Sequence, residues 1–172
     1  MDLEQRVAAL ERRLAALERP AAGSPEPVPV PGGETDELWA LRGLQAQLAG
    51  LGAENGGVLY TGAVRTPAGQ TYEWQYALTT DTVLDGDWAD AADVFAALGQ
   101  PVRLRLLRAV LDGRCTAAEL TALDGTGTTG QIYHHLRQLT AAGWLRTAAR
   151  GRYEVPADRV VPLLVMLTAA GH

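Results

Sequence analysis

The chain has 172 residues, of which 47% are hydrophobic, and a formal net charge of −5. This length allows one ordinary domain or two small ones, with enough apolar residues for a packed core. No apolar run approaches the ~20 residues of a membrane helix, and the charged N-terminus lacks the apolar stretch of a signal peptide. We therefore expect a cytoplasmic protein without a membrane partner. Cys115 is the only cysteine, which excludes an internal disulfide and a thiolate metal cluster within one chain.

Charge is distributed unevenly along the sequence. Residues 1–92 carry six arginines against fourteen acidic residues, whereas residues 93–172 carry nine arginines against six acidic residues. This asymmetry predicts that the C-terminal part contacts a polyanion and that the N-terminal part does not.

Residues 1–19 have the pattern of a coiled-coil helix that ends before Pro20. Apolar residues recur with alternating steps of four and three, and Arg and Glu fill the flanks. A helix of ~18 residues is short for an isolated coiled coil, so pairing needs support from elsewhere. We predict homo-oligomerisation through this seam; a single amphipathic helix lying on its own domain is the alternative. The seam consists of Leu3, Val7, Leu10, Leu14 and Leu17.

Residues 20–35 form a predicted linker, because five prolines among residues 20–33 exclude a helix and a central strand. Residues 36–87 form a predicted extension that contains a helix and a β-hairpin. Asp36 is a candidate cap for the helix, which runs to about Leu51 and ends at Gly52.

The hairpin consists of two β-prone runs, Gly57–Arg65 and Thr71–Thr79. Alternation places aromatic residues on one face, and two strands alone are marginal in water, so this face must be covered. The cover is the 36–51 helix, a second subunit or a ligand. Aromatic rings with polar handles suit a pocket for an apolar ligand or a protein interface, and a satellite core is the simpler alternative. The residues concerned are Tyr60, Tyr72, Trp74 and Tyr76.

From residue 88 the pattern predicts three helices, a turn, a fourth helix, a short hairpin and a last helix. In the first helix, Trp88, Ala91, Ala92, Phe95 and Leu98 share one apolar face. Thr116 and Glu119 form a predicted capping box for the third helix. The other predicted elements are a helix over Pro101–Leu111, a helix from Thr128 or Thr129 to about Ala142, strands Trp144–Thr147 and Tyr153–Val155, and a helix from Pro156 or Ala157.

This order is that of a winged helix-turn-helix with an extra helix at each end. Residues 95–107 resemble the opening of the ArsR-type (arsenic-repressor-like) regulators, and residues 132–145 resemble the end of that family's recognition helix and the start of its wing. The second stretch, with the pattern HHL-x-x-L-x-x-A-G, is the more specific. The resemblance covers less than half of the chain. It implies a transcriptional regulator, expected to be a repressor, whose helices from residues 88 and 157 build a dimer face.

We therefore predict a mainly α fold with small β elements. The heptad helix, the linker and the helix-plus-hairpin extension precede a winged helix-turn-helix domain over residues 88–172. The predicted partners are double-stranded DNA and further copies of the chain.

The predicted recognition helix turns Ile132, Leu136 and Leu139 to the core. Its N-terminus suits phosphate, to which threonine hydroxyls can bond, and Gln131 and His134 have the reach for base edges. Of the two adjacent histidines, we predict that His135 packs against the core. Tyr133 lies either at the groove or at a helix crossing, Thr129 is alternatively a plain N-cap, and the hairpin tip is alternatively solvated. The predicted DNA-binding residues are Thr128, Thr129, Gln131, Tyr133, His134, Arg137, Gln138, Arg150 and Arg152.

Metal sensing and catalysis have no supporting pattern. Classical metal-sensing members of the family carry paired cysteines on the helix corresponding to 116–123, or carboxylates and histidines on the last helix. Here Cys115 has no neighbour and the last helix offers only Asp158, so we expect no metal or other cofactor. No nucleophile, base and orienting group occur in a recognisable arrangement, so we expect no enzyme. A protein-interaction module that does not bind DNA remains the alternative function.

Overall fold

The computed structural model describes residues 38–148 and 151–171. These residues form seven α-helices, one short 3₁₀ helix and two separate two-stranded antiparallel sheets, which agrees with the predicted mainly α fold with small β elements. The heptad helix of residues 1–19 and the linker of residues 20–35 lie outside the described residues. The elements are α1 (Trp39–Leu51), β1 (Gly57–Arg65), β2 (Thr71–Thr79), α2 (Thr80–Asp85), the 3₁₀ helix (Trp88–Ala91), α3 (Ala92–Leu98), α4 (Pro101–Leu111), α5 (Ala117–Thr121), α6 (Thr129–Ala141), β3 (Arg146–Ala148), β4 (Arg152–Glu154) and α7 (Ala157–Ala170).

The first hairpin, β1 and β2, has the predicted bounds and the predicted faces. Tyr60 pairs with Tyr76 and Gly62 pairs with Trp74, so the alternating apolar positions of both strands share one face. The Tyr60 and Tyr76 rings lie 5.8 Å apart, centroid to centroid. Such cross-strand pairs fix the register of a hairpin.

The cover of this aromatic face differs from the prediction. A Cβ atom built on Gly62 would lie 2.7 Å from Cγ1 of Val161, so α7 crosses the hairpin where the strand has no side chain. The predicted cover, α1, reaches only the open end of the hairpin, where Leu48 approaches Gly57. The last helix of the same chain therefore provides much of the cover that was assigned to α1, a partner or a ligand.

The core lies among α4, α5, α6, the second hairpin and α7, and the most buried side chains come from these elements. Trp144 is 1% exposed, and its Nε1 donates to the carbonyl of Val94, which ties α3 to the segment after α6. Arg159 of α7 lies over the Trp144 ring, 5.4 Å from its centroid. The partly buried Val64 and Tyr72 of the first hairpin also pack on this core.

The apolar face predicted for residues 88–98 packs only partly against the core. Trp88 and Phe95 are 66% and 60% exposed. The segment turns Leu98, together with Val94 and Ala97, to the core, and these positions are spaced by three and four on one side of the helix. Phe95 follows Val94 directly and therefore points away.

The second hairpin is extended by a backbone contact from the segment before α5. The N–H of Tyr153 donates to the carbonyl of Cys115 at 2.7 Å, and Thr116 forms an isolated antiparallel bridge with Arg152. The strands begin one or two residues away from the predicted bounds, since Trp144 and Leu145 are buried before β3 starts. None of the helices in the described part of the chain is both long and apolar enough to span a bilayer.

Candidate nucleic-acid interface

The turn that precedes α6 is held by two specific hydrogen bonds and contains two glycines of positive φ. Thr126 is 3% exposed, and its hydroxyl donates to the carbonyl of Leu123 at 2.6 Å. Arg105 of α4 donates from Nη1 to the carbonyl of Gly125 at 3.0 Å. Gly125 and Gly127 have φ values of +69° and +100°, a conformation that side chains with a Cβ rarely adopt. These contacts fix the direction in which α6 leaves the turn.

A capping box starts α6, and it uses Gln131, which the sequence predicts to contact base edges. The Thr128 hydroxyl accepts from the N–H of Gln131 at 3.4 Å, and the Gln131 Oε1 accepts from the N–H of Thr128 at 2.8 Å. A Cβ on Gly127 would lie 2.5 Å from that oxygen, so a larger residue would displace the Gln131 side chain from the cap. The cap is thus Thr128 and not Thr129. The side chain of Gln131 is folded back onto the helix start and does not extend outward.

One side of α6 packs against the core, and the other side is exposed to solvent. Ile132, Leu136 and Leu139 are fully buried against the core, as predicted. Thr129, His134 and Arg137 are exposed, and Tyr133 is 43% exposed, which places it in solvent and not at a helix crossing. Within the described residues, the N–H groups of Thr129 and Gly130 have no hydrogen-bond acceptor. Free N–H groups at a helix start are donors for an anion such as phosphate.

The two histidines of α6 have the predicted orientations. His134 is exposed, whereas His135 is half-buried and its Nδ1 is buried without a partner in the described part of the chain. Burial lowers the pKa of His135, and the charges of Arg103 and His134 lower it further. His135 therefore favours its neutral form. The Nε of Arg103 is likewise buried and unpartnered among the described residues, so two polar groups are confined between α4 and α6.

Gln138 does not belong to the exposed surface on which the sequence placed it. It is half-buried and lines a cavity of about 340 Å³ together with Ala96 of α3 and Arg103 of α4. The position lies three residues after His135, at the edge of the buried stripe of α6. Gln138 is therefore less exposed than the other predicted DNA-binding residues of α6.

The arginines of the second hairpin differ in their surroundings. Arg146 forms an ion pair with Glu154 across the two strands. Arg152 is exposed and lies close enough to Glu119 for its charge to help lower the pKa of that carboxyl, after the hydrogen bonds from Thr116. Arg152 therefore faces a nearby negative charge on one side. Arg150 lies outside the described residues.

Some contacts at this site were not predicted from the sequence. The capping box of Thr116 and Glu119 is present as predicted, but Glu119 also accepts from the N–H of Cys115 at 3.0 Å, which fixes the segment that pairs with β4. The contact of Arg105 with Gly125 joins residues 20 positions apart, and no local pattern predicts it.

The predicted ligand surface of the first hairpin is divided by α7. Tyr72 and Trp74 are half-buried, and the Tyr72 hydroxyl donates to Oε1 of Gln70. Tyr76 is 47% exposed and Tyr60 is half-buried near the open end of the hairpin. The four residues therefore do not line one pocket. The Trp74 Nε1 is buried and has no partner among the described residues.

Over residues 38–148 and 151–171, no group of three or more metal-ligating side chains comes together. No protein-family model, no curated protein and no solved structure matches the chain.

Proposed function

We propose that the chain is a sequence-specific DNA-binding transcriptional regulator, expected to be a repressor, whose reading head is a winged helix-turn-helix over residues 88–172. The order of α4, α5, turn, α6 and second hairpin, with the Cys115–Thr116 segment bridged to β4, supports this proposal. As such a regulator, the protein works in the cytoplasm, in contact with the chromosome.

The observation that carries the proposal is the two-sided character of α6. Three fully buried side chains fix the helix to the domain, while Thr129, His134 and Arg137 are each exposed to solvent. Exposed hydroxyl, imidazole and guanidinium groups are those that contact phosphates and base edges in a major groove. The free N–H groups at the start of α6 add donors for a phosphate.

Homo-oligomerisation is the second part of the proposal. Two recognition helices on a two-fold axis read a symmetric operator, which requires a dimer. Trp88 and Phe95 are large apolar side chains left in solvent within the described chain, and burial in a dimer face would stabilise them. The α7 helix contributes less than the sequence suggested, because Val160, Val161 and Leu163 are already buried within the chain.

Fluorescence anisotropy with a labelled duplex from the gene's own upstream region tests the proposal. Arg137→Gln is expected to weaken binding and, if Arg137 contacts one phosphate, to flatten the slope of log affinity against log salt by about one unit. Arg42→Gln makes the same charge change on α1, outside the domain, and is the matched control. Equal losses in both variants, or no binding of the wild type at low salt, would contradict the assignment of α6.

A protein-interaction module without DNA binding is the alternative, and the exposed Trp88 and Phe95 favour it as a specific observation. In that case, replacing both residues with serine would abolish partner binding, and Arg137→Gln would have no effect on any ligand. Under the DNA-binding proposal, the double serine variant has fewer subunits per particle and binds the operator more weakly, because the dimer is lost.

A further inference from the structure

A cavity of about 520 Å³ lies where the turn end of the first hairpin meets α4 and α7. It is separate from α6 and from the exposed part of the aromatic face. Its volume falls within the ~300–1,000 Å³ that small-molecule sites occupy. We call it the leucine cavity, because six of its lining residues are leucines of α4 and α7, namely Leu104, Leu107, Leu111, Leu163, Leu164 and Leu167.

Apart from its charged residues and Thr66, the lining of the leucine cavity is aliphatic. Val64 and Pro67 of the hairpin face the leucines, and Leu107 and Leu163 form a fully buried floor. The hydroxyl of Thr66 is engaged with the backbone of Gln70. Leu167 is 44% exposed. An aliphatic chain is the group that gains most from contact with such a wall.

The charged residues that line the cavity are predominantly cationic. Arg65, Arg105 and Arg108 are exposed side chains in the lining, against one acidic residue, Asp112. Asp112 is shared between Arg108 and Arg114, at 4.0 Å from each. Within the described chain, Arg65 has no ion pair. Arg105 uses Nη1 on Gly125, and in the described part of the chain its other N–H groups make no further hydrogen bond.

We propose that the leucine cavity binds a small molecule with an unbranched apolar chain and a terminal carboxylate. The chain packs against the leucines, and the carboxylate accepts hydrogen bonds from the arginines, whose planar guanidinium groups match carboxylate oxygens. Binding at this site does not depend on DNA binding by α6. The site differs from the aromatic surface suggested by the sequence in both its location and its aliphatic wall.

Titration calorimetry of the full-length chain with decanoate and with 1-decanol tests the proposal. The two probes have the same chain length and differ in the head group. Decanoate is expected to bind at least about tenfold more tightly, since hydrogen bonds to a charged group add that much or more. The proposal would be overturned if decanoate did not bind, as when a partner copy or another segment fills the cavity. Equal affinity for both probes would also overturn it.

Substitutions at the exposed Leu167 locate the site without opening the core. Leu167→Glu places a carboxylate beside the arginines, where it competes with the head group, whereas Leu167→Gln has nearly the same shape and no charge. Decanoate affinity is expected to fall at least about tenfold more in the Glu variant than in the Gln variant, as the loss of a charge-assisted contact implies. Equal affinities in the two variants would place the binding elsewhere and overturn the proposal.

Substitution of the arginines that line the cavity gives an independent test. Arg65→Gln combined with Arg108→Gln is expected to weaken decanoate binding by about tenfold or more while leaving 1-decanol binding unchanged. Arg114→Gln alters an exposed arginine that does not line the cavity and is expected to change decanoate binding less than twofold, roughly within measurement error. Equal decanoate affinity in the double variant and the wild type would overturn the role of the arginines.

Discussion

The crossing of α7 over the first hairpin is open to a direct test at Gly62. A Cβ added there would lie 2.7 Å from Cγ1 of Val161, while carbon atoms in contact prefer about 3.5–4.0 Å. Alanine therefore requires a shift of about 1 Å in a buried helix, and such overpacking costs about 1–3 kcal/mol. Alanine also restrains the unfolded chain, which offsets about 0.5–1 kcal/mol. We expect Gly62→Ala to lower the free energy of unfolding by about 0.5–2 kcal/mol.

Urea unfolding followed by circular dichroism measures this change, with Gly43→Ala as the control. Gly43 lies in α1, and a Cβ there meets no atom within 4 Å, so alanine is expected to stabilise by about 0.5–1 kcal/mol.

Val161→Ala supplies the rescue. Alone it removes two buried methyl groups, at a cost of about 1.6 kcal/mol from lost burial. In the double variant, the methyl group introduced at position 62 occupies the space that the Val161 methyl groups leave. The loss of unfolding free energy in the double variant should therefore be about 1 kcal/mol smaller than the sum of the two single losses. Additive costs in the double variant, or a Gly62→Ala variant as stable as Gly43→Ala, would refute this packing of α7 on the hairpin.

Three further predictions concern α6 and the heptad segment. The pKa of His135 is lower in the folded chain, so the unfolded chain takes up protons more readily and the free energy of unfolding should fall as the pH drops below 6.5. Urea titrations at several pH values should show this loss in the wild type and in His134→Gln but not in His135→Gln. Gly127→Ala should destabilise the fold by about 1–3 kcal/mol, because the φ of +100° and the oxygen of Gln131 at 2.5 Å both oppose a Cβ. Gly130→Ala is the control and should not destabilise the fold. Equal melting temperatures for the two variants would contradict the capping geometry. Deletion of residues 1–33 should reduce the number of subunits per particle in light scattering, and an unchanged number would exclude oligomerisation through the heptad seam.

Local signals in the sequence predicted the local structure well. Strict alternation gave the bounds and faces of the first hairpin, and the spacing of Thr116 and Glu119 gave the capping box of α5. The same spacing in Thr128 and Gln131 is a capping-box signal as well, and it would have shown that the Gln131 side chain turns back.

Long-range packing accounts for the predictions that were wrong. The apolar residues of 88–98 occupy more than one side of a short helix, and contact with distant residues such as Trp144 accompanies the inward orientation of Val94 and the outward one of Phe95. The placement of α7 on the hairpin depends on residues about a hundred positions apart in sequence. Gly62 among the aromatic residues of β1 was the one local sign of a close approach, since a glycine within a strand often marks one.

The claim that α6 reads a DNA sequence is tested most directly by capture of sheared genomic DNA from the source organism on the full-length protein, followed by sequencing of the bound fragments. The account predicts enrichment of a small set of fragments that share a two-fold symmetric motif, because a dimer presents two copies of α6 and specific sites bind at least about a thousandfold more tightly than random duplex. Recovery of fragments in proportion to their abundance, or no recovery at low salt, would contradict it.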